Sequence, residues 1–269
     1  MPNVLLRFLH ISDTHYSSPD YQRPPSRFGP RAGVDALLRH IKALPYTPDF
    51  ILHTGDVVYD PHPDIYPEAR DLFATLTPEI IYIPGNHDHS PTFQQVLLGR
   101  ETVQPLVYYE LERNSVRLLC LDSNGPDGTP PRGHVTDEQL TWLRERLAED
   151  DPRPILVFIH HPLLKTHTSV WYDEFMMTIN GDAVHDVLKT AADRIQGVFH
   201  GHTHHHITFN RDGIMYSGIK SSWTQFHIWP DQTIETANDL PADPGYALVT
   251  VTTAGTFIQH FTYRHDATE

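Results

Sequence analysis

The sequence is poorest in cysteine, with one thiol, Cys120, in 269 residues. A lone thiol excludes an internal disulfide framework and any multi-thiolate zinc site, leaving histidine and carboxylate as the available metal ligands. Positive charge is the second shortage. Lys and Arg total 20 against 34 Asp and Glu, a net −14 with neutral histidines. A groove for DNA or RNA draws its affinity from Lys and Arg contacts to phosphates, so extended nucleic acid is not an expected partner. A small phosphate ester stays compatible, because bound metal ions add positive charge that composition does not count. Long apolar runs are missing too, and none approaches membrane-spanning length. The opening apolar stretch is broken by Arg7 and lacks a small-residue cleavage pattern. No membrane span or secretory signal is therefore expected, and a soluble, cytoplasmic protein is.

Histidine is abundant, with 20 residues, as many as Lys and Arg together. At 39% hydrophobic and 20% charged, the chain reads as globular and long enough to bury a substantial core. Short apolar runs alternate with helical periodicity. Strands are expected at 4–11, 50–53, 79–83, 155–159 and 195–199. Helices are expected at 31–44, 67–76, 91–98 and 182–192, with Val34, Leu37, Leu38, Ile41 and Leu44 on one face of the first. The runs 107–111 and 116–121 flank Glu112-Arg113-Asn114-Ser115 and read as a hairpin, so the sheets are mixed. Thr136 to Gln139 has the form of a capping box, ahead of the helical face of Leu140, Leu143 and Leu147. Strands at 206–210, 214–218, 246–252 and 257–263 end the chain. These elements predict an α/β fold in a single domain spanning 1–269, with two mixed sheets between helices and the 206–265 part completing the second sheet.

Five polar segments sit where predicted strands end, the edge at which α/β sheets form ligand crevices. They are Asp13-Thr-His15, Gly55-Asp56, Gly85-Asn86-His87-Asp88, His160-His161-Pro162 and Gly201-His202-Thr203-His204. Imidazole nitrogen with carboxylate and carboxamide oxygen suits Mn, Fe, Co or Zn. The i, i+2 spacing of Asp13/His15 and His202/His204 puts each pair on one face wherever the backbone is extended. Two metals about 3.5–4 Å apart need a shared carboxylate and can clamp the attacking and leaving oxygens of a phosphoryl transfer. Asp56 is the candidate for that bridge. Any one of these histidines alone is more often a surface or core residue; their joint placement favours a metal site.

In this order, the five segments resemble the calcineurin-like metallophosphoesterase superfamily over residues 9–206. Ile179-Asn180-Gly181-Asp182 and the run from Ile195 to His204 are similar to bacterial class III cyclic-nucleotide phosphodiesterases and related glycerophosphodiesterases. The resemblance implies a four-layer αββα sandwich and two divalent or trivalent transition-metal ions bridged by Asp56 and a hydroxide. By position, Asp13, His15, Asp56 and His204 would hold one metal, and Asp56, Asn86, His160 and His202 the other. His87 would be the catalytic histidine beside the phosphate, and Asn180 a substrate contact. Hydrolysis of a small phosphodiester by metal-held hydroxide is the implied activity, with a cyclic nucleotide of the cAMP type first. A phosphomonoesterase or glycerophosphodiesterase on the same centre is the alternative, with a metal-free scaffold third. Class III relatives often form dimers, which leaves a homodimer open.

One departure stands out. The second family motif commonly continues Gly-Asp-x-x-Asp/Asn, whereas here that position is Tyr59 and the acid follows at Asp60. Asp88 is expected to anchor its loop or orient His87. His161 is the less certain member of its pair, and His205 and His206 are expected to open a strand in solvent. The 165–180 segment, with Trp171, Tyr172 and Phe175, is placed as a lid or as packing, and the Pro-rich 16–30 loop as a rim.

Overall fold

The computed structural model describes residues 3–19, 21, 29–59, 63–226, 228–230, 239–240 and 242–264. Strand β1 (Val4–Ile11) leads to helix α1 (Pro30–Lys42), β2 (Phe50–His53), α2 (Tyr66–Phe73) and β3 (Ile80–Tyr82). A short α3 (Ser90–Thr92) runs into a π-helical turn, Phe93–Leu97. The hairpin β4 (Tyr109–Arg113) and β5 (Val116–Cys120) precedes α4 (Asp137–Ala148), β6 (Ile155–Phe158), α5 (Val170–Phe175), α6 (Gly181–Leu188) and β7 (Ile195–His200). The rest is β8 (Ile207–Arg211), β9 (Ile214–Gly218), β10 (Gln225–Phe226), β11 (Asp239–Leu240), β12 (Gly245–Thr252) and β13 (Gly255–Thr262).

Two mixed sheets result. The first has strand order β13-β12-β1-β2-β3 and the second β4-β5-β6-β7-β9-β8. This corrects the expectation that the whole 206–265 part completes the second sheet. Only β8 and β9 join it, while β12 returns to pair antiparallel with β1 and brings β13 with it. The hydrophobic edge of β1 has to be covered on the side away from β2, and β12 supplies that cover.

Strict alternation assigns each side chain to a layer. Leu6, Phe8, Phe50 and Leu52 meet Leu118, Cys120, Leu156, Phe158 and Phe199 between the sheets. Phe8 stacks on Phe50 at 4.9 Å and meets Phe199 edge-on at 5.3 Å. The odd positions Leu9, Ile11 and Ile51 face outward under α1 and α2. On the other side Leu119, Val157 and Ile159 face α4 and α6. The architecture is thus α/β, helices on sheet on sheet on helices. Each fully buried Leu or Phe contributes about 1.5–3 kcal/mol of transfer free energy, which fixes the register of strands whose ends carry the polar segments.

Local details differ from the sequence expectation where side chains find better partners. Thr136 caps α4 by accepting the Gln139 N–H at 3.3 Å, but Gln139 does not close the box. Its carboxamide instead accepts from Asp122 N–H at 2.8 Å and donates to Asp122 C=O at 2.7 Å, bracing the end of β5. Among the described residues no helix is long and apolar enough to cross a membrane.

Candidate metal centre

Beyond the ends of β1, β2, β6 and β7 the chain turns sharply, and five of the seven candidate ligands take left-handed backbone. Their φ values are 52° at Asp13, 47° at His15, 55° at Asp56, 67° at His202 and 48° at His204. Each such residue costs about 1–2 kcal/mol over right-handed geometry, and such strain collects at functional sites. The i, i+2 pairs therefore converge through paired left-handed residues, not through extended alternation, so the expected proximity is right and its expected cause is not. The motif glycines allow the close approach. A Cβ on Gly85 would lie 2.1 Å from Asp56 Oδ1, and one on Gly201 would lie 2.0 Å from Ser12 Oγ and 2.6 Å from Asp13 Oδ2.

Two donor groups share one edge. Around the first, His15 Nε2 stands 3.1 Å from His204 Nε2, and His204 Nε2 stands 3.2 Å from Asp13 Oδ1. Around the second, His160 Nε2 stands 3.1 Å from Asn86 Oδ1 and 3.4 Å from Asp56 Oδ2. Asp56 Oδ2 is also 3.7 Å from His15 Nε2, so this one carboxylate reaches both groups. Metal–ligand bonds of about 2.0–2.2 Å place neighbouring donors roughly 3.0–3.4 Å apart, the spacing seen here.

The imidazoles are set by the groups behind them. His160 Nδ1 donates to Thr54 C=O at 2.7 Å and His204 Nδ1 to Thr224 C=O at 2.8 Å, which leaves each Nε2 lone pair facing the centre. His15 Nδ1 and His202 Nε2 are buried without a hydrogen-bond partner. Burial opposes charge on His160, yet the Asp56 carboxylate lifts it to about 9. Burial likewise opposes charge on Asp13, and His204 beside it still holds the carboxyl down at about 2. His15 is pushed down to about 3, chiefly by burial. Buried carboxylates, a proton drawn onto His160 by Asp56, and the unspent nitrogens of His15 and His202 fit a centre in which divalent cations take the place of protons.

The surrounding side chains hold this array. Asp88 accepts from Val57 N–H at 3.1 Å, Val58 N–H at 3.2 Å, Gly85 N–H at 2.9 Å and Tyr66 O–H at 2.9 Å, tying the second and third motifs together. It anchors the loop, as expected, while burial and the Asp56 charge push its carboxyl up to about 6. His161 Nδ1 stands 2.7 Å from Ser123 Oγ, while its ring, 4.3 Å from that of His202, keeps a nitrogen within 4.8 Å of donor atoms on His160 and His202, a group that could itself hold an ion. His206 is half-buried against His260, ring centroids 3.9 Å apart, in place of the solvated position expected. Asp60 and most of the 16–30 loop lie outside the described residues.

A cavity of about 260 Å³ opens over the centre. His15, Asp56, Asn86, His87, His202 and His204 form its floor, and Tyr59, Pro131, Trp171, Met176, Trp223 and Phe226 its walls. No Lys or Arg is among these lining residues. The 165–180 segment thus contributes Trp171 and Met176 to the walls, while Tyr172 packs beneath them. Asn180, expected as a substrate contact, has its carboxamide engaged within the protein. Its carboxamide accepts from Val135 N–H at 3.1 Å and donates to Val135 C=O at 2.7 Å, a strap between the 133–135 strand-like segment and the start of α6, and it does not line the cavity. Trp223 and Phe226 were invisible to periodicity; the only signal was an aromatic cluster, Trp223, Phe226 and Trp229, in a stretch with no regular pattern.

Clustered His and Asp at the strand ends of two packed mixed sheets define a metal-dependent phosphatase architecture. A family model described as calcineurin-like phosphoesterase matches residues 6–206, and the chain belongs to that family. It is a phosphoric ester hydrolase. It is 27% identical over 223 residues to the 3′,5′-cyclic adenosine monophosphate phosphodiesterase CpdA of Vibrio vulnificus, covering 82% of this chain and 78% of that protein. It is 30% identical over 161 residues to the glycerophosphodiester phosphodiesterase GpdQ of Enterobacter lignolyticus, covering 58% of this chain and 56% of that protein. A dimetal phosphatase from Danio rerio superposes with a TM-score of 0.64 at 15% identity, covering 97% of this chain and 100% of the other, which is a likeness of fold.

Proposed function

We propose that this chain is a metal-dependent phosphodiesterase acting on a small diester, a cyclic nucleotide first. The observation that carries the reading is the pair of donor groups joined by Asp56 under a cavity whose described walls are largely aromatic. Asp13, His15, Asp56 and His204 would hold one ion, and Asp56, Asn86, His160 and His202 the other; Mn, Fe, Zn and Co suit these donors. Bound there, such ions supply Lewis acidity to phosphoryl oxygen and to water. The protein's own part is to orient the diester, exclude bulk water and move a proton. His87, at the cavity floor with its backbone N–H on Asp56 Oδ1 at 2.8 Å, is assigned to the leaving oxygen as general acid.

A diester carries one negative charge, which the metal ions offset. A monoester dianion would call for further cations, and among the described residues the walls offer none. Flat neutral walls suit a nucleobase face. The same rings suit a quaternary ammonium, which keeps a glycerophosphodiester as the second reading, in line with the similarity to GpdQ.

Metal-replete protein is to be assayed in parallel on 3′,5′-cyclic AMP, 2′,3′-cyclic AMP, glycerophosphocholine and an aryl monoester. The expected order of kcat/KM puts a cyclic nucleotide first and the monoester at least about tenfold below. A monoester preference overturns the diester reading, and a glycerophosphocholine preference promotes the second one.

A further inference from the structure

Tyr59 stands where the resembling family commonly carries Asp or Asn, and the structure gives its ring a definite task. It stacks on His87 with centroids 4.9 Å apart and planes 19° apart. His15 closes the corner, its ring 5.1 Å from His87 at 78° and 5.8 Å from Tyr59 at 60°. Tyr59 is itself held: its backbone N–H donates to Tyr16 C=O at 3.1 Å, and its ring is backed by Tyr21 at 4.8 Å and meets Trp223 at 6.2 Å. The His87 backbone N–H is held on Asp56 Oδ1, and the flat Tyr59 ring against one face of the imidazole, with His15 edge-on beside it, restrains rotation about its side-chain bonds.

We propose that Tyr59 is a positioning residue for His87, its ring face holding the imidazole in the plane from which it protonates the departing ester oxygen. This rests on the general-acid reading of His87. In that step water adds its oxygen to phosphorus and releases a proton to solvent. The ester P–O bond breaks, and the leaving oxygen keeps the electron pair and takes the His87 proton, which solvent then replaces. A short Asp or Asn could hold a neighbour only by a hydrogen bond, whereas stacking needs the ring and not the hydroxyl. The ring is therefore essential and the phenolic oxygen dispensable.

The benefit of a well-placed acid grows as the leaving group worsens. Steady-state kinetics of the metal-loaded enzyme on 4-nitrophenyl, 4-chlorophenyl and phenyl phosphodiesters test this, with metal content and melting temperature measured for each variant. Tyr59→Leu and Tyr59→Asn are expected to lower kcat about tenfold on the phenyl diester and less than about twofold on the 4-nitrophenyl diester, with KM and metal content little changed. Tyr59→Phe should recover to within about threefold. In a His87→Asn background, which by itself shows the same leaving-group pattern more strongly, Tyr59→Leu should add nothing. Equal loss on all three esters, loss of metal, or an undiminished effect in the His87→Asn background overturns the role of Tyr59 and leaves that of His87 standing. Full turnover by His87→Asn on the phenyl diester overturns both.

Discussion

The Asp13 carboxylate accepts the backbone N–H of His202 at 3.0 Å, joining the first and last motifs across 189 positions of sequence. One carboxylate thus serves as hub for the loop after β1 and the loop after β7, besides standing 3.2 Å from His204 Nε2. The junction between the two sheets is tied at the centre itself.

Asp13→Asn separates charge from shape. Asn tolerates the left-handed backbone that residue 13 adopts, so the loop is expected to survive while the anionic ligand is lost. Metal content by elemental analysis should fall from about two ions to about one per chain, with kcat down about a hundredfold or more. Two tightly held ions in the variant would remove Asp13 from the ligand set.

Chelation should abolish turnover without dissolving the sandwich, because the layered hydrophobic clusters do not include the ligands. Far-UV circular dichroism is expected to stay unchanged and the melting temperature to drop by several degrees, since a ligand bound only by the native state stabilises it by mass action. Activity should return with Mn²⁺ or Co²⁺. Unfolding on chelation at room temperature would contradict a centre held up by the protein alone.

Gly85→Ala tests the close packing beneath the centre. A methyl 2.1 Å from Asp56 Oδ1 and 2.4 Å from Asp56 N has nowhere to go, so Asp56 must move. The cost is about 1–3 kcal/mol of stability together with weakened metal binding, read by thermal melts and metal titration. Gly99→Ala, where a Cβ meets nothing within 4 Å, controls for a mere change of glycine, although its φ of 64° carries its own backbone cost.

His53 is one source of acid sensitivity. Its Nδ1 accepts from Gly55 N–H at 3.3 Å and its Nε2 lies 2.9 Å from Thr14 Oγ1, whose own proton goes to Val57 C=O, so the ring is held neutral. Burial pushes His53 down to about 3 from an ordinary 6.5. The unfolded chain then binds the proton that the folded chain refuses. The stabilisation is present above about pH 6.5 and is lost, at about 1.4 kcal/mol per pH unit, as pH falls toward 3. Urea melts of metal-free protein between pH 7 and 5 should show a slope steeper than this, because His15 and His200 are pushed down by burial too, and His53→Gln should reduce it by up to about 1.4 kcal/mol per pH unit below pH 6.5. An unchanged slope would show that His53 does not set it.

The strand ends were readable because apolar runs buried on both faces, such as Ile155 to Ile159, stop abruptly at histidine or aspartate. The polar clusters followed from those stops. Pairing was harder: nothing in the pattern of 246–252 says that it pairs with β1 and not with the nearer β9, since both choices bury the same alternate face. The place of Asn180 in a familiar-looking segment says nothing of where its carboxamide points, and in the folded chain Val135 engages both of its polar atoms. The cavity walls were hidden for a different reason. Trp223 and Phe226 act through their position in an irregular stretch, and only the folded chain sets them beside Tyr59 and Trp171.

The return of β12 to β1 bears on when the enzyme can become active. Leu9 pairs with Leu248 and His10 with Ala247, so the strand that delivers Asp13 and His15 lacks its neighbour on that side until most of the chain has been synthesised. Contacts of such long sequence range form late and slowly. On the ribosome, the metal centre would therefore assemble only after the catalytic motifs have long emerged, and a nascent chain stalled before residue 245 should expose β1 as an open sheet edge and bind metal poorly.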